Sequence, residues 1–99
     1  MVRTFVRVEL LEPDREPSTR FSTAMNALGF VRTIKGRKTG KALRLPDGLF
    51  LIERANAEKA FGLTKQAAST AEVEARIFCM PAGDAVRFGN LEEVDAPAT

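Results

Sequence analysis

The chain has no histidine and a single cysteine, Cys79. Without histidine there is no imidazole general base and no Ser-His or Cys-His nucleophile. The commonest nitrogen ligand of transition metals is missing too. One cysteine closes no internal disulfide and has no partners for a thiolate metal cluster. That usage fits a reducing cytoplasm, with Cys79 as a small buried hydrophobe. Long apolar runs are also lacking. The longest, residues 49–52 among them, fall far short of the ~20 residues that span a bilayer. The opening MVRTFVRVELLEP is charged throughout and has none of the apolar stretch of a signal peptide. A cytoplasmic protein is expected, with no membrane, metal or cofactor.

What is present is ordinary in amount and uneven in placement. Ninety-nine residues, 44% hydrophobic and 28% charged, suit one globular domain, residues 1–89, with 90–99 as an acidic, frayed tail. A chain of this length buries roughly two thirds of its unfolded surface or a little less, so its margin of stability is thin. The net charge of +2 says little about partners. Six of the 15 basic residues, however, fall between positions 32 and 44: Arg32, Lys35, Arg37, Lys38, Lys41 and Arg44, with no acid among them. Removing those six leaves nine Lys and Arg against 13 Asp and Glu, so the remainder is net acidic and the positive potential is local.

Hydrophobic periodicity orders the chain. Residues 3–11 alternate, with Thr4, Val6, Val8 and Leu10 on one face and Arg3, Phe5, Arg7 and Glu9 on the other, which predicts a half-buried strand. Phe21, Ala24, Met25 and Leu28 form one helical stripe, capped by Asp14 or Ser18 and stopped at Gly29. A second strand over 30–34 leads through the basic tip, between Gly36 and Gly40, into a third. Pro46-Asp47-Gly48 marks either a bulge in that strand or a break into two short ones. Asn56 caps a second helix whose face is mostly alanine, with Gly62 a weak point. Residues 73–80 alternate as a fourth strand, and 85–88 are expected as a short fifth. Strand, helix, strand, strand, helix, strand in this length predicts an α+β, ferredoxin-like βαββαβ sandwich, its four-stranded antiparallel sheet carrying both helices on one face.

The alternating first strand, the helix ending in Gly29-Phe30, the run Arg32-Thr33-Ile34 and the pair Leu45-Pro46 together resemble a group of short bacterial and phage proteins. These are similar in layout to the antitoxin GhoS and to the Cas2/VapD-like ferredoxin-fold ribonucleases. The resemblance spans most of residues 3–80. It implies a ferredoxin-like fold, a homodimer formed through the sheet region, and endoribonuclease action of the GhoS kind, with a toxin or phage partner. Two departures stand out. The first strand ends Leu10-Leu11-Glu12-Pro13-Asp14, with no acid where Cas2-like enzymes carry a metal-binding aspartate. Arg44 also precedes Leu45-Pro46 where an aromatic is expected.

Three constellations carry the chemistry. The six cations of the tip either neutralise backbone phosphates of RNA or DNA, or form a solvated loop that guards a sheet edge. On the outward sheet face, Phe5, Arg7, Arg76, Phe78 and Met80 are expected together on neighbouring strands, as a dimer interface or, less simply, a base-stacking platform. Glu9 and Glu74 either bind a divalent cation or pair with Arg7 and Arg76. No catalytic residue is assigned. The expected function is a small dimer that binds or acts on nucleic acid. The alternative is a non-enzymatic protein-interaction or assembly module that uses the open sheet face.

Overall fold

A computed structural model describes residues 2–12, 14–36, 40–83 and 86–94. Its elements are β1 (Arg3–Leu10), α1 (Arg15–Ala27), β2 (Thr33–Lys35), β3 (Ala42–Arg44), β4 (Leu49–Glu53), α2 (Ala57–Ala71) and β5 (Ala75–Pro81). The α+β class and the two helices are as the periodicity predicts, but three strands, not two, stand between the helices. No helix among the described residues is long and apolar enough to cross a membrane.

The sheet differs from the expected single four-stranded one. Three antiparallel strands, in the order β4-β1-β5, form the main sheet, while β2 and β3 pair as a separate two-stranded sheet. The two are joined at one point, where Val31 and Leu51 exchange both backbone hydrogen bonds at 2.8 Å. The physical reason lies in the side chains beyond Val31. Ile34, Leu43 and Leu45 need cover, and the far face of the main sheet offers Phe5, Leu49 and Leu51. The hairpin therefore leaves the sheet edge and folds over that face, where Phe5, Ile34, Leu45 and Leu51 form a second, small core. The Pro46-Asp47-Gly48 segment accordingly separates two short strands in different sheets, instead of bulging one.

The larger core lies on the other face. Val6 and Val8 of β1 and Phe50 and Ile52 of β4 pack against Phe21 and Met25 of α1 and Ala60, Ala67, Ala68 and Ala71 of α2. The alanine face of α2 lets that helix sit close to the sheet. Buried hydroxyls are satisfied: Thr4 Oγ1 donates across the fold to Ala55 O at 2.7 Å, and Thr64 Oγ1 donates one helical turn back to Ala60 O at 2.8 Å. Asp14, the earlier of the two candidate caps, begins α1, which leaves Pro17 in the first turn where a missing N–H costs nothing. Gly29 terminates it at φ +99°, with Phe30 N–H reaching back to Met25 O at 3.1 Å. Asn56 caps α2 by accepting from Lys59 N–H at 2.8 Å. The helix runs unbroken through Gly62.

The C-terminal stretch also differs from expectation. Residues 86–89 carry no regular structure, while Asp84 and Ala85 lie outside the described residues. It is the start of the expected tail that is held. Arg44 N–H donates to Glu92 O at 2.8 Å and Val94 N–H to Ala42 O at 3.0 Å, so this segment runs beside β3. Residues 95–99 lie outside the described residues.

Two glycines should respond oppositely to a methyl group. Gly48 sits at φ +80°, and an added Cβ would strike the Arg7 guanidinium and lie 2.7 Å from Val8 O. Gly62 has nothing within 4 Å of such a Cβ. Urea unfolding should show Gly62→Ala stabilised by up to about 1 kcal/mol and Gly48→Ala destabilised by about 2 kcal/mol or more.

Candidate nucleic-acid interface

The basic hairpin is an arm with a built base. Antiparallel pairing sets Thr33 opposite Arg44, Ile34 opposite Leu43 and Lys35 opposite Ala42. Ile34 and Leu43 face the small core, so Lys35 and Arg44 stand on the outer side and are exposed. The pairing runs one step further, as Gly36 N–H donates to Lys41 O at 2.8 Å, and Gly40 turns at φ +68°. Arg37 and Lys38 lie outside the described residues.

The six cations therefore do not form one equivalent set. Arg32 belongs to the base of the arm. Its guanidinium lies over the Phe50 ring, 5.7 Å from the centroid, and 3.4 Å from Asp47 Oδ1. Lys41 Nζ lies 3.4 Å from Glu93 Oε1, on the segment that runs beside β3. Sequence reasoning missed this partner because residues 90–94 have no periodicity, and only the β3 edge gives them a place. Lys35 and Lys41 instead line, with Arg3, an open cleft of about 940 Å³ between the hairpin and β4. Glu53 and Glu93 share that lining, which leaves the cleft with a small positive excess. Its shape comes from the fold: β2 diverges from β4 beyond the Val31–Leu51 contact, so two strand edges face each other across open space.

The outward sheet face is partly closed. The β1–β5 register does bring the expected residues together, with Phe5 opposite Met80, Arg7 opposite Phe78 and Glu9 opposite Arg76. Phe5, however, is only 8% exposed, lying under Ile34 and Leu45 of the arm, and so is not available to a partner. Phe78 is 63% exposed; Met80 and Phe88 are also open and edge a small apolar groove. Arg7 lines a shallow groove with Arg76 and Phe78, while its Nη1 donates to Val8 O at 2.9 Å beside Gly48.

Of the two acids, Glu9 is paired. Arg76 Nη1 bonds Glu9 Oε1 at 2.8 Å, whereas Glu74 precedes β5 and its carbonyl accepts from Leu11 N–H. Cys79 is half-buried against the main core, and burial pushes its thiol pKa upward.

The two phenylalanines of the sheet face should separate in stability measurements. Phe5→Ala is expected to cost about 3 kcal/mol or more, and Phe78→Ala to stay within about 0.5 kcal/mol for the monomer, both read from chemical denaturation. Comparison of the chain with protein-family models, curated proteins and solved structures finds no match.

Proposed function

We propose that this chain is a ferredoxin-like nucleic-acid-binding protein of the cytoplasm, which grips phosphate with its basic hairpin and works as a homodimer. One observation carries the reading: the most basic stretch of the sequence leaves the main sheet as an arm, with Lys35 and Arg44 exposed and Lys35 lining an open cleft between arm and β4. Cations on a two-stranded arm contact a sugar-phosphate backbone without reading its sequence, so the binding is expected to be non-specific and strongly salt-dependent. The order β5-β1-β4, with Val31 bridged to the far edge of β4 and both helices on one face, supports the ferredoxin-like layout. For the homodimer, support comes from β5, an edge strand of seven residues that presents Phe78 to solvent. Cleavage of a message in the manner of GhoS, and a toxin or phage partner, rest on the resemblance in layout alone.

A second reading is favoured by the same exposed strip. Phe78, Met80 and Phe88 beside the end of β5 suit a non-enzymatic protein-interaction or assembly module. The two readings separate cleanly. RNA and DNA binding should fall steeply with salt, and neutralising Lys35, Arg37, Lys38 and Lys41 together should abolish it and flatten the salt slope. Binding unchanged by that substitution removes the phosphate role. Sedimentation should show a dimer that Phe78→Asp converts to monomer; a wild-type monomer ends the dimer proposal.

A further inference from the structure

A second concave site lies at the opposite corner of the sheet from the arm's tip. β4 pairs with β1 only from Arg3 to Arg7, with one further bond, Val8 N–H to Gly48 O at 2.7 Å, so β1 runs on past its neighbour. The gap between that overhang, α1 and the Pro46–Gly48 turn is an open cleft of about 530 Å³. Arg7 and Arg32 line it together with the acids Glu9 and Asp47, and Ser18 and Ser22 of α1 contribute hydroxyls.

Both guanidiniums are held by groups that leave their charge largely uncompensated. Arg7 rests on a backbone carbonyl and the bare Cα of Gly48; Arg32 rests on the Phe50 ring. Glu9 also lines the cleft, but its carboxylate is engaged by Arg76 at 2.8 Å, which offsets its charge there. Asp47 meets Arg32 at 3.4 Å, but its side chain is 98% exposed, so this surface pair is weak and the carboxylate is free to swing into water. Strand alternation adds a backbone donor: Val8 N–H points to the β4 side, so Leu10 N–H, two residues on, points the same way into the gap. Two preset arginines, two hydroxyls and an N–H match the oxygens of a phosphate, and a cleft of this size admits a mononucleotide.

We propose that this cleft binds a terminal phosphate, of a free mononucleotide or of a nucleic-acid 5′ end, between Arg7 and Arg32. The site is separable from the hairpin reading, since of the arm's cations it uses only Arg32, at the base, and neither Lys35 nor Lys41. Phosphate displaces Asp47 from Arg32 on entry.

NMR titration of the full chain tests this with AMP, adenosine, and a short RNA carrying either a 5′-phosphate or a 5′-hydroxyl. AMP should shift the amides of Arg7, Leu10, Ser22 and Gly48, and adenosine should not. Arg7→Gln and Arg32→Gln should each weaken binding about tenfold. Asp47→Asn, at an exposed position that does not threaten the fold, should tighten it about twofold or more by removing the competing carboxylate. AMP bound without a 5′-phosphate preference in RNA assigns the site to free nucleotides, and the reverse assigns it to nucleic-acid ends. Equal shifts with AMP and adenosine, no shifts with any phosphate, or weaker binding by Asp47→Asn would overturn the proposal. Neutralising Lys35 and Lys41 should leave AMP binding unchanged, so failure at the arm and failure at this cleft are told apart.

Discussion

The contact of Ile34 and Leu45 with Phe5 and Leu51 decides how this molecule presents itself. A three-stranded sheet with two helices on one side leaves its other side bare, and a chain this short has little apolar surface to spare for cover. Here the cover comes from the hairpin. In folding over the far face, it separates from the main sheet, opens a cleft along β4 and leaves Lys35 and Arg44 exposed. Arm, cleft and closed face are three results of the same small core.

Much of the architecture is legible in the sequence because it rests on periodicity. The alternation of β1 and β5, the stripe of α1, the Asn56 cap and the Gly29 stop all act within a few residues, where spacing determines which side chains share a face. Gly62 signals weakness too strongly: the alanines around it bury well enough to carry the helix through. The strand after Val31 misleads for a different reason. β-branched residues announce an extended backbone, but they do not say which sheet receives it. Ile34 is equally at home beside β4 or over Phe5, and tertiary burial chose the second.

The candidate sites show the same division. The basic run is visible as composition, and the neighbourhood of Arg7, Arg76, Phe78 and Met80 comes from the topology. The fate of each charge does not. Arg32 and Lys41 find Asp47 and Glu93, at sequence separations of 15 and 52, and no local pattern signals either pair. By alternation alone, Arg7 belongs to a flat face. It lies instead in a corner cleft because Gly48 has no side chain to keep it out.

The strand-like run of Leu91 to Val94 beside β3 bears on the order in which the molecule comes apart. Its bridge from Leu43 to Glu93 closes a loop of about half the chain, and the few bonds that hold it are near the surface. β1, by contrast, is flanked on both sides and shared by both cores. The protein is thus built in two tiers. The arm and its trailing segment form a shallow unit that can open while the helix-backed sheet stays intact, and amide exchange would be graded from β3 inward to β1. Opening of that outer tier would uncover Phe5 and Leu51. The surface on offer to a partner is then a matter of population as well as of shape.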